Sequence, residues 1–224
     1  AAMDQIKAVI LDLDQTVLDR TRTFRAFAAS FINEYFFHHH GRDELVEDMM
    51  VRDEDGYKDK RELFSEVLTE YPWAGADKPE LEQLMDYYKV NYVNNAILMD
   101  QGLEVLEYLR KKYQTGLITN GRTDIQYGKI DRMGIRGHFD IILVSEEAGV
   151  KKPDAVIFRM ALQALGLSPE QCVYVGDHPV NDVAGAANVG MKTIWLQSNQ
   201  PWREELNVKP DHVIRSLQQL MEIL

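Results

Sequence analysis

Ile6-Lys7-Ala8-Val9-Ile10-Leu11-Asp12-Leu13-Asp14-Gln15-Thr16 is an apolar run that ends in two carboxylates spaced by one residue. The run reads as a strand, and period-2 geometry puts Asp12 and Asp14 on the same side while the chain stays extended. Two like charges ~4 Å apart repel by about 4 kcal/mol at an effective dielectric near 20, so such a pair asks for a metal ion or a positive substrate between its members. Taken alone, the pair also admits a plain turn, because Asp side chains bond the local backbone where strands end.

A second apolar run, Gln171-Cys172-Val173-Tyr174-Val175-Gly176, again delivers acids at its end: Asp177 and, further on, Asp182. Two strands then point carboxylates outward from their carboxyl ends, the edge at which open parallel sheets bind ligands. From Gln114 to Leu196, the short apolar runs Thr115–Thr119, Phe139–Val144, Cys172–Gly176 and Lys192–Leu196 alternate with segments of helical texture. Pro153-Asp154 opens a helix that runs to Leu165 and stops at Gly166, and Gly185-Ala186-Ala187 lies in another that ends near Gly190. This alternation predicts an α/β fold, a Rossmann-like parallel sheet of five or more strands with crossover helices.

Between the first strand and Gln114 the texture changes. Residues 20–95 show a 3.6-residue period: Phe24, Phe27, Ala28, Phe31 and Tyr35 share one face, Leu63, Val67 and Leu68 a second, and Leu81, Leu84, Met85 and Tyr88 a third. The expected organisation is therefore a catalytic core of residues 1–19 and 96–224 carrying an inserted helical domain, 20–95, of about four helices. An insert rooted just after the first acidic cluster is well placed to cover it.

With 224 residues and 45% hydrophobic content the chain can bury a full core, and a formal net charge of −11 argues against a nucleic-acid surface. No apolar run approaches the ~18 residues that span a bilayer, and no charged-then-apolar leader opens the chain, so the expectation is a soluble cytoplasmic protein with no membrane or nucleic-acid partner. Ala1 and Ala2 before Met3 read as an appended remnant and carry no weight. The single cysteine, Cys172, excludes an internal disulfide and reads as a small buried hydrophobe. His38-His39-His40 lacks zinc-site spacing, and Arg52-Asp53-Glu54-Asp55-Gly56, which lacks the later Glu of a calcium loop, reads as a solvated turn.

Two further strand ends carry chemistry. Thr119-Asn120-Gly121 offers a hydroxyl, an amide and a flexible glycine, suited to an anionic oxygen. Lys151-Lys152-Pro153-Asp154 places cations just before a helix N-terminus, also favourable for anions. Four acids set against Lys152 leave an excess of three negative charges, so an anionic ligand needs a divalent cation to approach, and oxygen-only ligands suit Mg²⁺.

The order Asp12-Leu13-Asp14-Gln15-Thr16, Thr119-Asn120, Lys152-Pro153 and Gly176-Asp177-His178-Pro179-Val180-Asn181-Asp182 resembles the four motifs of the haloacid dehalogenase-like (HAD) superfamily, with the helical insert placed as in members that have a helical cap. Gln15 departs from the Gly, Asp or Asn usual there. The resemblance implies a phosphatase of small phosphorylated metabolites such as nucleoside monophosphates or sugar phosphates. It implies Asp12 as nucleophile forming an aspartyl-phosphate and Asp14 as general acid, then base. Thr119 and Lys152 would hold the phosphoryl oxygens with support from Asn120. Mg²⁺ would be held by the side chains of Asp12 and Asp177 and the backbone carbonyl of Asp14, while Asp182 orients a metal-bound water or Lys152. Related dehalogenases usually lack a carboxylate at the position of Asp14, and phosphonatases usually carry Ala there. A phosphomutase of the same superfamily keeps both acids and stays open as an alternative, as does a binding module for phospho-ligands or partners that does not turn over. The insert is expected to recognise the rest of the substrate.

Overall fold

The computed structural model describes residues 3–75 and 78–224; Ala1 and Ala2, read above as a remnant, lie outside the described residues. The six strands among the described residues run parallel in one sheet: β1 (Ala8–Leu11), β2 (Gln114–Thr119), β3 (Ile141–Val144), β4 (Cys172–Gly176), β5 (Lys192–Leu196) and β6 (His212–Ile214), in the order β3-β2-β1-β4-β5-β6. Every residue of β1 is buried, as a central strand covered on both faces requires. Its neighbours are β2 on one side, with Leu11 opposite Leu117, and β4 on the other, with Leu11 opposite Val175. The sheet order reverses at this point, which opens a crevice at the carboxyl ends of β1 and β4. Strand β6 adds a sixth member that the apolar pattern does not announce, since His212 and Val213 are exposed.

The chain divides into two compact units, one made of the segment up to Asp19 together with Leu98–Leu224, the other of Arg20–Ile97. The first holds the sheet and, among its helices, α5 (Gly102–Lys112), α6 (Thr123–Arg132), α7 (Ser145–Ala148) and α8 (Ala155–Leu165). The sequence reading of α8 survives with its punctuation shifted by one step: Asp154 is the N-cap, accepting from the Val156 N–H at 2.9 Å, and Gly166 closes it in a left-handed conformation. Ile157, Phe158 and Ala161 of this helix pack on Ala8, Ile10, Ile118 and Tyr174 of the sheet. Cys172 is buried at the base of β4, and burial pushes its thiol up to about 11, so it is inert at neutral pH. No helix among the described residues is long and apolar enough to cross a membrane.

The second unit is built of α1 (Arg20–Tyr35), α2 (Arg42–Asp53), α3 (Lys60–Glu70) and α4 (Leu81–Asn94) around Phe24, Phe27, Phe31, Phe64 and Tyr92. One reading of the sequence is corrected here: Asp53 does not belong to a solvated turn but is 1% exposed. Both terminal nitrogens of Arg20 donate to its carboxylate, Lys60 Nζ lies 2.8 Å from Oδ1, and Arg20 Nε donates to the Tyr92 hydroxyl at 3.1 Å. Burial pushes the Asp53 carboxyl up, but the Arg20 and Lys60 cations override it and hold the group below its ordinary value. Asp53→Ala removes the carboxylate shared by the buried Arg20 and the partly buried Lys60 and is expected to lower stability by roughly 3–5 kcal/mol, read as a fall in the urea midpoint. Arg20 and Asp53 changed together to apolar residues of similar volume should recover most of that loss. If the double variant is as unstable as the single, the charge pair is not its cause.

Candidate active site

Three of the motifs sit at or just beyond a strand's carboxyl end because the strand itself is a short apolar run that the polar residues terminate, whereas Lys152 follows β3 only after the short helix α7. The Asp12 N–H donates to Val175 O at 2.9 Å, which ties the first motif to β4 at the sheet's reversal. One Asp12 oxygen accepts from Lys152 Nζ at 2.9 Å and the other from the Thr16 hydroxyl at 3.3 Å. Lys152, 3% exposed, also donates to Asp182 Oδ1 at 2.8 Å and to the Tyr174 hydroxyl at 2.9 Å, so its ammonium hydrogens meet three acceptors. Asp182 in turn accepts the His178 N–H on its other oxygen at 2.9 Å. Gly176 makes room for this arrangement, because a Cβ there would lie 2.4 Å from the Asp182 carboxyl carbon.

Asp12, Asp177 and Asp182 are all buried and can each offer an oxygen within 4.8 Å of the others. Burial, reinforced by the Asp182 charge and only partly offset by Lys152, raises the Asp12 carboxyl to about 7. Burial and the charge of Asp12 likewise hold Asp177 well above the carboxylate range. Lys152 experiences the converse: burial works against its charge, but Asp12 and Asp182 outweigh it and keep it firmly protonated.

The remaining motif residues turn to separate partners. Asn120 brackets the backbone of Lys152, its Nδ2 donating to Lys152 O at 3.0 Å and its Oδ1 accepting the Lys152 N–H at 2.9 Å, so it sets where the lysine begins. The Thr119 hydroxyl accepts from Gln126 Nε2 at 2.6 Å. Period-2 geometry would align Asp14 with Asp12, but the strand ends at Leu11 and the chain folds back, with the Gln15 N–H donating to Leu18 O at 2.7 Å. Asp14 instead accepts from Lys129 Nζ at 2.8 Å and Gln126 Nε2 at 2.9 Å. Gln15, where the motif usually has a smaller residue, adopts a left-handed φ of 63° and donates from Nε2 to the Ser198 hydroxyl at 2.9 Å.

A family model described as haloacid dehalogenase-like hydrolase matches residues 9–196. The chain belongs to the haloacid dehalogenase-like hydrolase family. Among HAD-like relatives, it is 30% identical to a glyceraldehyde 3-phosphate phosphatase of Methanothermobacter thermautotrophicus over 98% of this chain and 100% of that one. It is 29% identical to the enzyme of the same name from Pyrococcus furiosus over 99% of this chain and 94% of that one. The HAD-hydrolase YfnB from Bacillus subtilis, solved bound to magnesium, shares the fold with a TM-score of 0.74 at 23% identity, over 98% of each chain.

Three HAD-site neighbours escape the sequence reading: Tyr174, Gln126 and Lys129. Tyr174 is hidden in an apolar strand, where a tyrosine reads as core. Gln126 and Lys129 do leave a signal, since they fall beside Ile125 and Ile130 on the buried face of α6, where a polar pair three residues apart has no place without a partner. Lys129 changes the formal charge balance: four carboxylates stand against two ammonium groups, an excess of two rather than three.

Proposed function

We propose that this phosphoric monoester hydrolase of the HAD-like family acts with Mg²⁺ on a small phosphorylated metabolite, such as a sugar phosphate or nucleoside monophosphate, through an aspartyl-phosphate at Asp12. The observation that carries the reading is the buried set Asp12, Asp177 and Asp182 closed by Lys152 at the carboxyl ends of β1 and β4. The Asp12 carboxylate attacks phosphorus as the bond to the leaving oxygen breaks, and Asp14 gives that oxygen a proton. Asp14 then takes a proton from water, which attacks the same phosphorus, releases inorganic phosphate and restores Asp12. Thr119 and Lys152 hold the phosphoryl oxygens, and Asn120 serves by placing Lys152. Asp182 has its part through Lys152, which it contacts directly.

The donor set fits Mg²⁺, since three buried carboxylates supply hard oxygen ligands and no sulfur or imidazole nitrogen, with the backbone carbonyl of Asp14 proposed to join Asp12 and Asp177. When bound, the ion supplies positive charge that lets a phosphate dianion approach and offsets charge on the transferring oxygens. The helical unit is proposed as the cap that selects among phosphate esters. Turnover of a panel of phosphorylated metabolites, read as inorganic phosphate, tests the reading, because phosphate release separates hydrolysis from both a mutase and a module that only binds. Chelator should abolish release and Mg²⁺ restore it, with Ca²⁺ a poor substitute because of its longer, looser coordination. Turnover unchanged in chelator would remove the metal from the reaction.

The same site dictates a pH dependence of stability. Asp12 is raised from 3.8 in the free side chain to about 7 in the fold. Within that window the folded metal-free protein binds more protons than the unfolded chain, so its stability falls as pH rises through the window. Mg²⁺ must displace those protons. Added at about a hundredfold excess over its Kd, it should stabilise the protein by ~2.7 kcal/mol where Asp12 is ionised, near pH 8, and progressively less towards about pH 5. Thermal melts at the two pH values check this; equal stabilisation at both would separate the ion from Asp12.

A further inference from the structure

Helix α6 buries two polar side chains on an otherwise apolar face. A glutamine amide and an ammonium group withdrawn from water cost free energy unless their hydrogens find acceptors. Here both reach the same carboxylate, one on each oxygen: Lys129 Nζ on Asp14 Oδ1 at 2.8 Å and Gln126 Nε2 on Asp14 Oδ2 at 2.9 Å. Lys129 is 3% exposed at its side chain while Asp14 is 29% exposed, so the anchor is fixed and the carboxylate stands at the rim of the site. Both Asp14 oxygens accept here, so the amide nitrogen of Gln126 is the end that faces them. The second hydrogen of that nitrogen goes to Thr119 Oγ1 at 2.6 Å. Thr119 therefore accepts on the α6 side, and its own O–H must point elsewhere.

We infer that Gln126 and Lys129 are positioning residues for phosphoryl transfer: the pair holds the Asp14 carboxylate in one orientation and turns the Thr119 hydroxyl hydrogen away from α6. This rests on the reading of Asp14 as acid and base and of Thr119 as a phosphoryl ligand. One amide thereby couples the group that protonates the leaving oxygen to a group that binds the phosphorus-bound oxygens, and a misplacement of about 1 Å in such a group can cost on the order of 10²-fold in rate. Gly121 is the backbone condition for the arrangement. Its φ is 149°, and a Cβ there would lie 2.9 Å from both Cγ and Cδ of Gln126.

The test uses the leaving-group dependence of kcat/KM in the Mg²⁺-loaded protein, comparing an alkyl phosphate, whose alkoxide needs a proton, with a dinitrophenyl phosphate, whose leaving group does not. Asp14→Asn sets the reference and should lose about 10²–10⁴-fold more on the alkyl ester than on the aryl ester. Lys129→Met should reproduce a selective loss of about tenfold or more, and Lys129→Arg should recover most of it. Gln126→Leu should add a loss common to both esters, through Thr119, to a selective loss of the same kind. The ratio of two substrates in one preparation cancels any inactive fraction, so a partly folded variant still reports, and Gln126→Leu and Lys129→Arg carry the test if Lys129→Met does not fold. Equal losses on both esters for Lys129→Met, or none, with Asp14→Asn selective, would overturn the positioning role alone. Absence of selectivity in Asp14→Asn would instead overturn the acid role on which it rests.

Discussion

Asp12→Asn is expected to abolish phosphate release and to leave no trapped phosphoenzyme. The substitution is nearly isosteric and the site is buried, so the surroundings should hardly move. What changes is chemistry: the amide oxygen is a poor nucleophile, and the amide nitrogen brings hydrogens to a position whose neighbours, Lys152 Nζ and the Thr16 hydroxyl, are already donors. Loss of a covalent nucleophile costs on the order of 10⁴- to 10⁶-fold in turnover. Stability should move the other way. Burial and the charge of Asp182 together outweigh Lys152 in raising Asp12 to about 7, so the fold disfavours the Asp12 anion. Above that pH the metal-free Asn variant should melt no lower than the parent, as expected where a site trades stability for activity. Beryllium fluoride with Mg²⁺ should raise the melting temperature of the parent and not of the variant. A phosphoenzyme formed at the normal rate by Asp12→Asn would show that another side chain attacks.

Much of this site is legible because its groups terminate strands. Asp12, Thr119 and Asp177 close apolar runs, so each marks the carboxyl end of a strand, and the parallel topology gathers these ends at one edge, with β1 between β2 and β4. Side chains that approach from elsewhere carry no such mark. Lys129 reaches Asp14 across 115 positions of sequence and Arg20 reaches Asp53 across 33, and in each case one charge read alone looks like solvated surface. Burial decides the matter, since a charge withdrawn from water must be paired. A polar residue at a buried helical position is thus a request for a distant partner, though the sequence does not say which. Strand β6 escapes for a different reason: three residues with two exposed leave no apolar period to find.

Lys152→Ala should depress every phosphate ester alike, in contrast to the selective loss expected at Lys129. Both lysines are buried and paired to a carboxylate of the first motif, but Lys152 meets Asp12, the proposed nucleophile, and Lys129 meets Asp14, the proposed acid. Removing an electrostatic donor at the reacting centre costs about 10²–10³-fold in kcat whatever the leaving group. The variant also leaves Asp12 and Asp182 without the cation between them, a defect of roughly 3–5 kcal/mol if both stay ionised. Protonation relieves it. Lys152 is what lowers Asp12 against burial, so its loss raises that carboxyl further in the fold and widens the window in which stability falls with rising pH. The destabilisation should therefore be small near pH 5 and grow through neutrality, by about 1.4 kcal/mol for each unit of added pKa shift. Adding Asp182→Asn to Lys152→Ala should restore part of the stability and none of the activity, because it removes one of the repelling charges while the nucleophile still lacks its cation. A double-mutant cycle by urea unfolding, run beside kcat/KM on alkyl and aryl esters, separates the two effects. If the cycle shows no coupling between Lys152 and Asp182, the bridge is incidental to the fold; if the activity loss depends on the leaving group, Lys152 acts on protonation and the division of labour between the two lysines is wrong.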